Sequence, residues 1–267
     1  MLHLTQIALR RPDDAPRGFP FDLPVIRSFP GLRLDSPVTM FVGENGSGKS
    51  TLLEAIAIAA RAVTAGSAEA IDDPSLDGVR ALARSLRLSW STRKHRGFFL
   101  RAEDFFGFAK RMAALRTELE QGLAAVEAEY ADRPRLARDL ARSPFLRELA
   151  ELDRRYGEGI DTQSHGEGFL RFFGSRLVPG GMYFLDEPEA PLSPARQLAL
   201  LALLRQAVEA ECQLIVATHS PILLAFPGAA IWTFDRDPIE RVAWESLEHV
   251  SLTRDFLAHP EAFLRHL

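Results

Sequence analysis

Residues 43–51 read Gly43-Glu44-Asn45-Gly46-Ser47-Gly48-Lys49-Ser50-Thr51, and the flanks of this stretch say how it folds. Before it, Val38-Thr39-Met40-Phe41-Val42 follows Pro37 as a short apolar, β-prone run, the pattern of a buried strand. After it, Leu52 to Val63 is rich in Ala, Leu and Ile and reads as a helix. The glycines therefore fall where a strand turns into a helix N-terminus, where unpaired backbone N–H groups and the helix dipole favour an anion. Gly43, Gly46 and Gly48 allow positive φ and close backbone approach, and Asn45 is a residue type that tolerates left-handed geometry. The pattern is G-x-x-x-x-G-K-[ST], a phosphate-binding P-loop, which sets the ligand class as triphosphate nucleotide with Mg²⁺. In it Lys49 places a point charge on the β- and γ-phosphates, and the Ser50 hydroxyl can ligate Mg²⁺. Only 3 of the 32 basic residues are lysines, Lys49 among them, and Asn45 is the sole asparagine in 267 residues, so a chance match in a glycine-rich turn is disfavoured.

Composition sets outer bounds. A chain of 267 residues can bury a full core as one large domain or two small ones. With 46% apolar and 25% charged residues it reads as an ordinary water-soluble globular protein, and a net charge of −4 implies no global attraction to nucleic acid or anionic membrane. Met1 to Leu9 is too short and mixed for a leader, and no apolar run approaches the 18 residues of a membrane span. The single Cys212 lies in an apolar run and is expected to be a buried thiol, which suits a cytoplasmic location.

Along the chain, Leu2 to Leu9 reads as a first strand, and residues 11–37, with six prolines, as extended loop with little helix. Residues 66–78 read as loop. Leu86 to Ser91 and Gly97 to Arg101 read as two strands joined at Thr92 to Arg96. Residues 104–158 are helical in composition, with breaks at Arg133-Pro134, Ser143-Pro144 and Gly157, the second suited to an N-cap and first helical position. A strand at Gly181–Leu185, a helix at Pro194–Ala210, a strand at Gln213–Ala217, short strands at Ile231–Phe234 and Arg241–Trp244, and two short helices around His259-Pro260 complete the pattern.

Met182 to Glu187 is four apolar residues ending in two acids, a Walker B strand. Asp186 is placed to hold Mg²⁺, directly or through water. Glu187, one residue further at the strand's carboxyl end, can polarise the attacking water as general base. Ala217-Thr218-His219-Ser220-Pro221 follows the next apolar strand, and His219 lies 32 residues after Glu187. A histidine there can sense the γ-phosphate and steady the water or Glu187.

Order and spacing of these segments resemble the ATP-binding cassette (ABC) class of P-loop ATPases. In that class a signature loop precedes Walker B by about twenty residues; here Thr162-Gln163-Ser164-His165-Gly166-Glu167-Gly168 starts a helical run, with Ser164 22 residues before Asp186. It is similar to the class's Leu-Ser-Gly-Gly-Gln, with Ser164 and Gly166 at the serine and second glycine, His165 for the first glycine and Glu167 for the glutamine. A hydroxyl and glycine N–H groups at a helix N-terminus form a second phosphate-binding end. Together with Leu-Asp-Glu-Pro-Glu-Ala-Pro-Leu-Ser-Pro and Ala-Thr-His-Ser-Pro, these phrases resemble a narrower group, stand-alone prokaryotic AAA-family predicted ATPases with an ABC-type core, over nearly the whole chain. The resemblance implies an α/β P-loop NTPase fold, a mixed and mainly parallel sheet flanked by helices, and ATP binding and hydrolysis with Mg²⁺.

Three departures are noted. Ser193 stands where ABC transporters carry the D-loop aspartate. No clear Q-loop glutamine is found; Glu103, after the strand Phe98 to Arg101, is the candidate for that position. For the adenine, Phe19 and Phe21 are the candidate aromatics. The expected organisation is a single ATPase domain over 1–267. Its catalytic lobe covers about 1–103 and 161–245, a helical insertion about 104–160, and a helical tail about 246–267. In the ABC class the P-loop of one subunit and the signature loop of another clamp one ATP, so an ATP-dependent head-to-tail homodimer is expected. The insertion, with ten basic and eleven acidic residues between 104 and 158, is compact rather than a long coiled-coil arm. Residues 78–102 hold seven Lys/Arg and no acid; the tip Arg93-Lys94-His95-Arg96 suits nucleic-acid phosphates, a protein partner's carboxylates or plain solvation. The readings carried forward are a soluble ATPase driving a conformational change in an unnamed partner process, the ATP-binding subunit of a transporter, and a DNA-associated repair or defence ATPase.

Overall fold

The computed structural model describes residues 2–10, 18–64, 74–92, 97–156 and 165–265. In chain order the strands are β1 (Leu4–Leu9), β2 (Leu32–Arg33), β3 (Val38–Val42), β4 (Val63–Thr64), β5 (Leu86–Trp90), β6 (Phe98–Arg101), β7 (Met182–Asp186), β8 (Gln213–Ala217), β9 (Ala230–Thr233) and β10 (Glu240–Val242). The helices are α1 (Pro24–Arg27), α2 (Lys49–Ala59), α3 (Arg80–Ser85), α4 (Ala102–Glu129), α5 (Arg135–Tyr156), α6 (His165–Ser175), α7 (Pro194–Glu209), α8 (Pro221–Leu224), α9 (Glu248–Ala258) and α10 (Pro260–Leu264). Among the described residues the strands make two sheets: a seven-stranded one in the order β10-β9-β3-β8-β7-β6-β4 and a three-stranded one in the order β2-β1-β5. The large sheet is parallel except for β10, which pairs antiparallel with β9, and the small sheet is antiparallel. This is the expected α/β P-loop class with a mainly parallel sheet.

Helices cover both faces of the large sheet, so β3, β7 and β8 are buried at every position. Their side chains alternate between two cores with the period of two that a pleat imposes. Phe41, Met182, Phe184, Ile215 and Ala217 meet Leu52, Leu53 and Ile56 of α2 on one face. Met40, Val42, Tyr183, Leu185, Leu214 and Val216 meet Phe169, Phe172 and Phe173 of α6 and Leu200 and Leu204 of α7 on the other. The small sheet is tied to β8 by the fully buried Gln213. Its Oε1 accepts from the His3 and Leu4 N–H groups at 2.8 and 2.9 Å, and its Nε2 donates to the Leu4 carbonyl at 2.9 Å.

Three expectations are corrected. Leu86–Ser91 and Gly97–Arg101 do form strands, but they are no hairpin: β5 pairs with β1 in the small sheet, while β6 lies between β4 and β7 in the large one. The tip 93–96 lies outside the described residues. Arg101 also leaves the basic surface, being 6% exposed. Nor do Ser143-Pro144 start a helix, because Pro144 lies inside α5. A helical proline costs about 3 kcal/mol, but α5 is held along its length against α4. The Phe145 ring seats on Gly122, Arg142 pairs with Glu127 at 2.9 Å, and Arg116 pairs with Asp153. Residues 74–79, read as loop, form a 3-10 turn.

Candidate functional site

Parallel register puts the carboxyl ends of β3, β8, β7 and β6 at one edge: Phe41 lies beside Ala217, Ala217 beside Asp186, and Asp186 beside Arg101. The P-loop and the segments that carry Glu187, His219 and Glu103 leave from that edge, where open α/β sheets bind ligands.

The P-loop leaves β3 with Glu44, Asn45 and Gly46 exposed at its crest. Positive φ falls to the glycines, +154° at Gly43, +82° at Gly46 and +97° at Gly48; Asn45 does not share it, against expectation. Gly48 is the N-cap of α2, and a Cβ there would stand 2.7 Å from Val25 Cγ1 of α1, so a side chain would be both strained and crowded. Lys49, 4% exposed, donates from Nζ to the Gly43 and Glu44 carbonyls at 2.7 and 3.0 Å. Burial pulls its ammonium below the ordinary lysine value, against the opposing fields of Glu187, Asp186, Asp235 and Glu189. Ser47 Oγ is buried without a hydrogen-bond partner among the described residues, and Ser50 and Thr51 stand in the first turn of α2.

Ser50 Oγ donates to Asp186 Oδ1 at 3.0 Å, joining the two residues read as Mg²⁺ ligands across 136 positions of sequence. Burial pushes the Asp186 carboxyl up to about 6; the Ser50 hydrogen bond pulls the other way, while the Glu187 charge adds to the rise. A buried carboxylate beside a hydroxyl, both hard oxygen donors, fits Mg²⁺, which commonly takes one or two protein oxygens and completes its shell with phosphate and water. Glu187 adopts φ +48°, rare for a residue with a side chain, and its N–H donates to the Ala217 carbonyl at 2.9 Å. His219 Nε2 lies 3.4 Å from Glu187 Oε1.

A cavity of about 410 Å³ opens beside this pair, lined by Ser50, Glu54, Arg101, Ala102, Glu103, Asp186 and Glu187. Glu103, the Q-loop candidate, faces it from the first turn of α4, 74% exposed and 3.2 Å from Arg101. Of the signature loop, Thr162, Gln163 and Ser164 lie outside the described residues. His165, Gly166 and Glu167 open α6; Gly166 packs against Arg196 and the Pro191 carbonyl, and Glu167 pairs with Arg171 at 2.9 Å. Ser193 is the N-cap of α7. The adenine candidates diverge: Phe19 is 64% exposed with its ring over Gly78, while Phe21 packs on the core.

Four residues join the site that the sequence reading assigned no role there. Glu54 stands one helical turn after Ser50 on the same face of α2, a spacing visible in the sequence. Burial, and next the charge of Asp186, lift its carboxyl from 4.5 to about 7, while Arg101 opposes the rise. Arg101 holds Asp104 through two bonds of 2.9 and 2.8 Å and stands 3.9 Å from Glu54, linking the α2 face that carries Ser50 to the root of α4. Glu189 lies in the quoted phrase Asp-Glu-Pro-Glu; its Oε1 accepts from Thr218 Oγ1, His219 N and Ser220 N at 2.7, 2.7 and 3.1 Å. Asp235, after β9, accepts the Glu44 N–H at 2.6 Å and carries no local sequence signal.

The family model described as "AAA domain, putative AbiEii toxin, Type IV TA system" matches residues 76–225, more than half of the chain, and a second, described as "AAA domain", matches residues 21–94. The chain belongs to this AAA-domain family. This AAA-domain chain is also 26% identical over 251 residues to the cobalt import ATP-binding protein CbiO of Salmonella paratyphi A and of Salmonella typhi, covering 88% of the chain and 84% of each relative. Among solved structures it is similar to cbiO1 from Clostridium perfringens, part of the ABC transporter complex cbiONQ (16% identity, 100% of both chains, TM-score 0.48). It is also similar to the Smc head domain from Pyrococcus furiosus, bound to the C-terminal domain of ScpA (14% identity, 96% of this chain and 100% of that one, TM-score 0.46). The AAA-domain family match agrees with the P-loop class read from the sequence and seen in the sheet. Among the described residues no helix is long and apolar enough to cross a membrane.

Proposed function

We propose that this chain hydrolyses ATP with Mg²⁺ in the cytoplasm and closes head-to-tail on a second copy when ATP is bound. The observation that carries the reading is the meeting of Ser50 with Asp186 at 3.0 Å, beside a buried Lys49 and with Glu187 and His219 in reach of one another. P-loop amides from Gly43 to Thr51 and the Lys49 ammonium take the phosphates, Lys49 exchanging its carbonyl partners for phosphate oxygen. Ser50 and Asp186 would hold Mg²⁺, which would supply charge neutralisation to the phosphates. Glu187 receives a proton from the attacking water as its oxygen bonds the γ-phosphorus and the bond to the β–γ bridging oxygen breaks, giving ADP and phosphate. His219 steadies Glu187 and the water. The start of α6, with Ser164 to Glu167, serves the nucleotide of the partner copy, so closure follows ATP and opening follows hydrolysis.

Phosphate release tests the chemistry. Lys49→Ala should lose nucleotide binding, and unchanged ATP affinity in that variant defeats the P-loop assignment. Glu187→Gln should bind ATP, turn over poorly and run as a dimer by light scattering; a monomer at tens of micromolar with ATP sinks the head-to-tail model. Running the assay with and without DNA weighs the repair or defence role. A second reading, the ATP-binding subunit of a transporter, is supported by the CbiO relatives spanning 88% of the chain; co-purification with an integral membrane protein favours it.

A further inference from the structure

We propose that Glu189 is a positioning residue that sets His219 against Glu187; the inference rests on the hydrolytic reading above. Three consecutive residues of the loop after β8 donate to one oxygen: Thr218 through its hydroxyl at 2.7 Å, His219 through its N–H at 2.7 Å and Ser220 through its N–H at 3.1 Å. Glu189 Oε2 is buried and has no hydrogen-bond partner among the described residues, so the grip on the loop runs through Oε1. A carboxylate receiving several donors forms charge-assisted bonds, the stronger kind. His219 Nε2 is likewise without a hydrogen-bond partner, its nearest charged neighbour being Glu187 at 3.4 Å, so the ring stands where its backbone puts it.

The segment after β7 thus clamps both the end of β8 and the loop beyond it. Glu187 N–H reaches the Ala217 carbonyl at 2.9 Å just before the histidine, and Glu189 holds the histidine itself. On the far side Ser220 accepts from the Leu223 N–H at 3.1 Å and donates to Gln197 Oε1 at 2.5 Å, closing the loop onto α7. Glu187 and His219 come from different strands, and Glu189, two residues beyond one of them, ties the backbone of the other to it directly. Glutamine at 189 would keep an acceptor oxygen and lose the charge; alanine would lose both.

Two measurements on the full chain test this role. In the nucleotide-free protein, Glu189→Ala should speed hydrogen exchange at the His219 amide by about tenfold or more, because local protection follows the bond lost, whereas the Ser220 N–H keeps the Thr218 hydroxyl at 3.0 Å. The Thr218 amide, bonded to the Phe41 carbonyl at 3.0 Å, should stay protected. In steady-state ATP hydrolysis the same variant should lose about 100-fold in kcat with KM for ATP nearly unchanged, the effect of a catalytic group displaced by about an ångström. In a His219→Ala background the further loss should vanish. Losses from the two substitutions that multiply, an unchanged exchange rate, or a raised KM at wild-type kcat each overturn the role. Should Glu189→Ala fail to fold by circular dichroism, the isosteric Glu189→Gln carries the same tests with a smaller expected loss. Wild-type protein that releases no phosphate from ATP and Mg²⁺ overturns the hydrolytic reading and this role with it; normal wild-type turnover matched by Glu189→Ala overturns the role alone.

Discussion

Glu54 should make the folded chain less stable as pH rises, and Glu54→Gln should remove the effect. Its carboxyl sits inside the cavity between α2 and the root of α4, and the nearest cation, Arg101, is 3.9 Å away with its guanidinium already engaged by Asp104. Burial thus outweighs pairing, and the carboxyl rises from 4.5 to about 7. Between these values the unfolded chain has released the proton and the folded chain still holds it. The folded state binds more protons, so stability falls as pH climbs through that window, and the deficit is complete above about pH 7. A tenfold change in an ionisation constant is worth about 1.4 kcal/mol, so the deficit at pH 8 is about 3 kcal/mol. Glutamine keeps the shape and does not titrate. About 2.5 kcal/mol of the deficit develops between pH 5 and pH 8, so at about 2–4 °C per kcal/mol for a chain of this size the gap in Tm between variant and wild type should widen by about 5–10 °C across that range. Thermal melts of the nucleotide-free proteins across that range measure it. A gap that stays constant, or narrows as pH rises, refutes the claim that Glu54 is buried without adequate compensation.

Asp186, held up at about 6 by burial, should make Mg²⁺ compete with a proton. The Mg²⁺ concentration that half-saturates binding of a fluorescent ATP analogue should rise as pH falls from 7.5 to 5.5, and Asp186→Asn should flatten that dependence. Gly97→Ala should destabilise the chain by more than about 3 kcal/mol in urea melts, since a Cβ there would stand 1.8 Å from the Met182 carbonyl oxygen at φ +135°; a loss under about 1 kcal/mol contradicts the close crossing of the chain onto β7. Gln213→Ala should cost about 3 kcal/mol or more, because it leaves the His3 and Leu4 N–H groups and the Leu4 carbonyl without their buried partner.

Much of the fold was legible because its strongest signals are short and periodic. The runs at Val38–Val42 and Gln213–Ala217 are observed as strands where they were read, because both faces of a parallel sheet demand unbroken apolar stretches. Misreadings arose where a local rule met a distant contact. A proline after serine suits a helix start, but Phe145 on Gly122 carries α5 through Pro144. Two strands five residues apart suit a hairpin, but β6 finds β7 and β5 finds β1. Asn45 tolerates left-handed geometry, but the neighbouring glycines take it.

By itself the sequence determined the strand-loop-helix and set the expectation of the ligand class it would hold, because G-x-x-x-x-G-K-[ST] works through contiguous backbone and needs no distant partner. It also determined which acids and which histidine would end the neighbouring strands. Only the tertiary structure decided that Ser50 touches Asp186, that Arg101 turns inward to Asp104 beside Glu54, and that Glu189 grips the loop of His219. The physical reason is strand order. Which strand lies beside which is settled by packing the helices on both faces, and residues more than a hundred positions apart meet only once β3, β8, β7 and β6 have been set side by side.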